Sequence, residues 1–180
     1  MTARVFLERP SARRERDFVA AALRSRALHR GFVAVPATPA QFHDFLRRGR
    51  RGHHASFFVV DSGSRDLAGV VDVNHITHGA APSGRLGYYA FAPLAGLGLM
   101  REGVALAIDA AFRDLRLERL DANVQPGNRR SLEFAARLGF TRDGTASGYL
   151  KIGTRWRDHE RWTLLARDWC SSRYAVDARA

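Results

Sequence analysis

The chain has 180 residues, 46% of them hydrophobic and 26% charged, with a formal charge of +11 at pH 7. That length and balance predict one globular domain over residues 1–170 with a tail at 171–180, and they exclude a chain disordered throughout. No apolar run reaches the ~20 residues of a membrane span, residues 1–10 lack the apolar stretch of a secretory signal, and Cys170, the only cysteine, leaves no intrachain disulfide or cysteine-based zinc site, so the expectation is a soluble cytoplasmic protein without membrane or metal.

Residues 4–9 read as a short strand with Val5 and Leu7 on one side. Pro10-Ser11 opens a helix, with Ser11 as N-cap and Phe18, Ala21, Ala22 and Leu28 at helical spacing. Residues 31–39 are a loop. Thr38 then caps a helix running to about residue 48, with Phe42, Phe45 and Leu46 on one face. Residues 56–61 and 67–75 are β-rich runs separated by a turn cluster, the pattern of a hairpin. Residues 85–91 form a third strand of this group. After a glycine-containing loop, Met100, Val104, Ile108, Ala111 and Leu115 mark a long helix. A strand at 119–124, a turn at 126–128 and a short helix at 130–138 follow, ended by Gly139 in the helix-terminating position. The closing strands are 140–145, 149–152 and 162–165. This order predicts a mixed α/β domain with helices on both faces of one sheet.

Of the 29 basic residues only Lys151 is a lysine. A positive balance favours anionic partners such as phosphates or ribosomal RNA without selecting one, and a solvated basic surface is the plain alternative.

The chemistry-bearing element is a strand followed by Ala95-Gly96-Leu97-Gly98-Leu99-Met100 and then a helix. Glycines at a helix start let the backbone approach a ligand closely. The free N–H groups and the positive end of the helix dipole suit a phosphate. The loop lacks the Lys-Ser/Thr of a nucleotide P-loop and the third glycine of the dinucleotide fingerprint.

Downstream stand Asn123-Val124-Gln125-Pro126-Gly127-Asn128-Arg129-Arg130-Ser131 and Ala136-Arg137-Leu138-Gly139-Phe140. Together with the glycine loop they resemble the GNAT superfamily of N-acetyltransferases. Arg24-Ser25-Arg26-Ala27-Leu28-His29, Leu86-Gly87-Tyr88, Gly148-Tyr149-Leu150-Lys151-Ile152 and Trp156-Arg157-Asp158-His159 are similar to its RimJ/RimL group. The resemblance implies a mostly antiparallel sheet with a splayed central strand pair. It implies acetyl-CoA as co-substrate, held by Tyr89, Phe91, Ala95, Gly96, Leu97, Gly98, Leu99, Met100, Asn123, Asn128 and Ser131. The acceptor it implies is a protein N-terminus, ribosomal by preference, with ribosome association through the basic surface. A small amine as acceptor, or a basic RNA-binding module on the same fold, are the rival readings.

By the same resemblance, a backbone N–H near Phe91 stabilises the oxyanion and the Ser131 hydroxyl protonates the leaving thiolate. His75 and Tyr149 border the acceptor pocket. The position where the group often carries a carboxylate is Gly148 here, which leaves the general base open, with Asp72 one candidate. Phosphate contact falls mainly to the loop backbone, with Arg101, Arg129 and Arg130 as nearby charge. His75 and His78 are two potential metal ligands without a third, so no metal is expected.

Overall fold

The computed structural model describes residues 3–169. Seven strands form one sheet in the order β1-β2-β3-β4-β5-β7-β6. They are β1 (Val5–Glu8), β2 (His54–Asp61), β3 (Leu67–Thr77), β4 (Ser83–Ala90), β5 (Arg119–Val124), β6 (Thr141–Ile152) and β7 (Arg155–Leu165). All neighbours run antiparallel except β4 and β5. That exception follows from the long helical crossover between them, which returns the chain in the same direction.

Helices cover both faces. On one side α1 (Glu15–Arg24), α2 (Arg26–His29) and α3 (Pro39–Gly49) lie over β2 and β3. Their Phe18, Phe42 and Phe45 pack with Phe58 of β2, ring centroids 4.8 to 6.5 Å apart. Val60, Val70 and Phe91 complete this layer. On the other side α4 (Leu99–Arg113) and α5 (Arg129–Arg137) bury Val104, Ala107, Ile108, Ala111 and Ala135 against Val59, Val71, Val73 and Leu120. The mixed sheet with two helical layers is the fold class expected from the sequence. Thr38 caps α3 as expected, accepting from the Gln41 amide.

The first helix departs from expectation. A 3-10 turn (Ala12–Arg14) precedes it, and Ser11 makes no side-chain cap bond. The helix then breaks at Ser25, whose hydroxyl donates to the Ala21 carbonyl at 2.7 Å and accepts the Ala92 amide at 2.9 Å. The break turns His29 inward and leaves Leu28 39% exposed. Spacing alone had put Leu28 on the buried face. Among the described residues no helix is long and apolar enough to cross a membrane. Cys170 and the expected tail lie outside the described residues.

The face of α4 against β2 is closely fitted. A Cβ built on Gly103 would collide with the Val59 side chain. Alanine is favoured over glycine inside a helix by about 1 kcal/mol, but overpacking a filled core costs roughly 1–3 kcal/mol. Gly103→Ala is therefore expected to lower stability by about 1–2 kcal/mol. Urea denaturation measures it, and a raised midpoint would show that the α4–β2 contact is looser than described.

Candidate functional site

Strands β4 and β5 pair only at Ser83–Arg119, Gly84–Leu120 and Arg85–Asp121. Beyond these residues both strands continue, to Ala90 and to Val124, without pairing to each other. The sheet therefore opens at its centre.

Which backbone groups face the opening is set by the ladder on the other side of β4. The Phe91 amide donates to the Ala68 carbonyl at 2.8 Å, and Tyr89 stands opposite Val70. In an antiparallel ladder alternate residues turn both backbone groups toward the same partner. Phe91 and Tyr89 thus turn toward β3, while Tyr88 and Ala90 turn toward the opening. This corrects the expectation for Phe91: its N–H is already bonded and cannot serve as an oxyanion donor. The same alternation spends the Tyr89 backbone on β3, and its ring lies in the helical layer beside His29 and Phe91. The amides facing the gap are those of Tyr88 and Ala90. The Ala90 carbonyl accepts from His29 Nε2 at 2.8 Å. Burial pushes the His29 pKa down, so the ring is neutral at pH 7 with its proton on Nε2, since a carbonyl only accepts.

The glycine loop lies at the end of β4. Gly96 and Gly98 have φ of +89° and +83°, a region closed to most side chains, and Gly98 is the N-cap of α4. The amides of Leu99 and Met100 that follow have no acceptor further up the helix. The loop thus presents free donors at the positive end of a helix. Sequence reasoning missed the cation beside it. Arg4, at the edge of β1, donates to the Leu97 carbonyl at 2.7 Å and lies 3.4 Å from Glu102 Oε1. Nothing local in the sequence links residues so far apart. Glu102 Oε2 is buried without a partner.

Helix α5 holds the far side of the gap. Asn128 caps it, its Oδ1 accepting the Ser131 amide at 3.3 Å. Tyr88 OH donates to the Ser131 carbonyl at 3.2 Å, and the Tyr88 and Phe134 rings are 4.9 Å apart. Burial drives the Tyr88 phenol far above its ordinary pKa, which keeps it a donor. Ser131 is thereby brought beside the unpaired part of β4.

On the opposite face Asn123 Nδ2 donates to Tyr149 OH at 3.3 Å, and the Arg85 guanidinium lies 5.6 Å from the Tyr149 ring centre. Tyr149 therefore reaches from the β6–β7 pair back to the point where β4 and β5 part. Arg85 was not foreseen. His75 is exposed at the rim with φ +52°, its ring 6.2 Å from that of His54. Loss of solvation, then Arg85, His54 and His53, push its pKa down. Gly148 sits where the β6–β7 register is irregular, with φ +54°, its amide donating to Asp158 Oδ1 at 2.7 Å. Among the described residues no cluster of three or more ligands is placed to hold a metal.

Beneath the end of α3 is a cavity of about 160 Å³ lined by Arg48, His54, Ser56, Asp72 and Asn74 among others. His54 Nδ1 and Asn74 Oδ1 are hydrogen-bonded at 2.7 Å. Asp72 Oδ1 is buried without a partner, and so is Tyr89 OH. Burial raises the Asp72 carboxyl to about 6, against smaller opposing effects of the Ser56 hydroxyl, Arg48 and His54.

A family model described as an acetyltransferase (GNAT) domain matches residues 4–141. The [ribosomal protein uS5]-alanine N-acetyltransferase of Escherichia coli is 34% identical over 124 residues, 69% of this chain and 64% of that protein. The chain thus spans somewhat less than two thirds of that relative. Mycobacterium smegmatis RimJ, solved with CoA-disulfide, superposes with a TM-score of 0.86 at 22% identity, covering 97% of this chain and 88% of that one. Spermidine N-acetyltransferase from Vibrio cholerae, solved with CoA and spermine, superposes with a TM-score of 0.79 at 17% identity, covering 93% and 98%. At these identities the two structures speak to the fold alone.

The cavity has a measurable consequence for stability. With its carboxyl at about 6 in the folded chain, above the ordinary value, Asp72 binds its proton more tightly folded than unfolded. Its contribution is full below about pH 4 and is lost as pH rises through about 6. A difference of that size corresponds to roughly 3 kcal/mol. Asp72→Asn should accordingly be more stable than the wild type at pH 8, by up to ~3 kcal/mol, with the gap closing near pH 4. Urea titrations at the two pH values test this; an unchanged or lower midpoint for the variant at pH 8 contradicts it.

Proposed function

The chain belongs to the acetyltransferase (GNAT) domain family, and from that premise we propose that it moves the acetyl group of acetyl-CoA to the N-terminal α-amine of a protein, alanine first among the N-terminal residues and ribosomal proteins first among the acceptors. Acetyl-CoA is the co-substrate of this family, and the residues fit it. The Gly96–Gly98 loop and the first amides of α4 take the pyrophosphate, with the Arg4 guanidinium alongside. The backbone of Tyr88 and Ala90 lies along the pantetheine arm. Asn123, Asn128 and Ser131 border the thioester from β5 and α5.

In this reading the neutral amine attacks the thioester carbonyl directly. A C–N bond forms, and the carbonyl oxygen takes up the electron pair facing an amide of the gap. A fixed donor of this kind is worth roughly 2.7–4 kcal/mol in the transition state. Collapse breaks the C–S bond, the Ser131 hydroxyl protonates the departing thiolate, and the proton on the attacking nitrogen restores the hydroxyl. Ser131 suits this role because its backbone is pinned at both ends, by Asn128 and by Tyr88.

The observation that supports the choice of acceptor is the Arg85 guanidinium at the acceptor rim, beside Tyr149 and the His75 ring. A polyamine with several ammonium groups meets repulsion there, whereas a peptide N-terminus brings one charge and carbonyl acceptors. The α-amine also needs less help: its pKa of about 7.7–8.0 leaves roughly a tenth neutral at pH 7, against less than a thousandth for lysine. The two exposed arginines of the α3–β2 connection, Arg50 and Arg51, fit docking on ribosomal RNA near such an acceptor.

Acetyl-CoA consumption on a panel of acceptors tests the reading. Ala-initiated peptides should turn over at least tenfold faster than the same peptides N-terminally blocked but carrying lysine, and faster than spermine; preference for spermine would discard the protein acceptor. Two substitutions separate binding from turnover. Gly98→Asp places a side chain and a negative charge at the phosphate end and should abolish acetyl-CoA binding by calorimetry. Ser131→Ala should lower kcat about tenfold or more with acetyl-CoA affinity kept; an unchanged kcat removes Ser131 from the mechanism.

A further inference from the structure

The proton released by the acceptor amine needs a destination, and Gly148 offers none. Four observations point to one carboxylate. Asp72 stands opposite Gly87 in the β3–β4 register, and Asn74 stands opposite Arg85. Residues facing one another across a ladder share a face, so Asp72 and Gly87 share the face on which Arg85 meets Tyr149. Gly87 leaves the space between Asp72 and the parting edge of β4 unfilled, since a Cβ there would meet nothing nearer than Asn74 Nδ2 at 4.0 Å. Asp72 Oδ1 is buried with no donor, and the Tyr89 hydroxyl, within electrostatic range of Asp72, is buried without a partner as well. Finally, the carboxylate lines a cavity rather than packed side chains.

We propose that Asp72 is the general base of the acceptor half-site, receiving the acceptor amine over Gly87 and taking its proton. The inference rests on the acetyl-transfer reading but not on which amine is the acceptor. Asp72 as carboxylate accepts one proton from the acceptor ammonium. The neutral amine then attacks, the C–N bond forms and the C–S bond breaks. The second proton on nitrogen passes to the leaving thiolate by way of Ser131, and Asp72 returns its proton to solvent. The products are the acetamide, CoA thiol and one proton. The groups facing Asp72 are Arg48 from α3, His54 and Ser56 from β2 and Tyr89 from β4, with Asn74 on its own strand. Arg48, His54 and Ser56 favour the carboxylate, but less than burial opposes it. The site is therefore a base that is ionised at neutral pH and readily protonated.

The test is Asp72→Asn, an isosteric change that removes the base. It is run with whichever acceptor of the panel the wild type acetylates fastest, so that a wrong acceptor class does not decide the outcome. In the wild type, kcat at saturating substrates should rise with pH through a midpoint near 6. The variant should lose that limb and about a hundredfold or more in kcat and keep its acetyl-CoA affinity within twofold, and Asp72→Ala should regain activity on added formate, a carboxylate small enough for the space vacated. Three results would overturn the assignment. One is kcat within threefold of wild type. Another is residual activity that keeps the same pH limb. The third is loss of acetyl-CoA affinity together with activity, which would make the role structural.

Discussion

Two strands that stop pairing halfway along are the constraint from which the site follows. A parallel pair begun at Ser83–Arg119 would ordinarily continue, because a buried backbone group without a partner costs about 1–3 kcal/mol. Here the helical layer supplies other partners. Ser25 takes the Ala92 amide, His29 takes the Ala90 carbonyl, and Gln125 Nε2 donates to the Gly31 and Phe32 carbonyls across the mouth. From the other face Tyr88 and Phe134 seat the start of α5 against β4. The strands are held apart from both sides, and what they still offer toward the gap is a short row of amide donors.

The ends of the gap differ in what they hold. At the α4 end a helix start, two left-handed glycines and Arg4 gather positive potential around backbone amides, with no side chain filling the space at Gly96. Arg4 is half exposed and paired to a largely buried Glu102. An incoming phosphate would share the guanidinium with Glu102 rather than meet a free cation, so attraction there depends mainly on the backbone. At the opposite end the positive charge belongs to the Arg85 guanidinium, on a side chain that lies over the Tyr149 ring. In the proposed reading one end takes the anion and the other receives the amine.

Much of this was legible in the sequence because it is local. Thr38 and Asn128 cap helices in the way their residue types and spacing indicate, and the glycine loop stands at a helix start. The β2–β3 hairpin is written in its β-branched runs and turn cluster. What escaped was whatever depends on register or on contact across the sheet. Whether Phe91 or Ala90 faces the gap is a matter of one residue in the β3–β4 ladder, and only the Phe91–Ala68 bond decides it. The break at Ser25 depends on Ala92, distant in sequence, and Arg4 meets Leu97 only because β1 lies beside α4. Leu28 looked buried because periodicity assumes an unbroken helix.

The carboxylates of this arginine-rich chain mostly find donors. Glu8 is held by Arg14, Asp121 by Arg119 and Thr163, Asp158 by the Gly148 amide, and Asp61 is lowered by the Ser64 amide. Asp72 has an oxygen that none of these donors reaches, in a fold that carries far more cations than anions. A buried, unsatisfied acceptor costs about 1–3 kcal/mol, and Glu102 Oε2 beside the glycine loop is another. What distinguishes Asp72 is that it lines a cavity on the face above the opening. The gap retains donors, at Tyr88 and Ala90, and the face above it retains an acceptor, at Asp72. Attack of an amine on a thioester creates one oxygen that needs donors and releases one proton that needs an acceptor. In the proposed mechanism the amides of Tyr88 and Ala90 meet the first need and the Asp72 carboxylate the second.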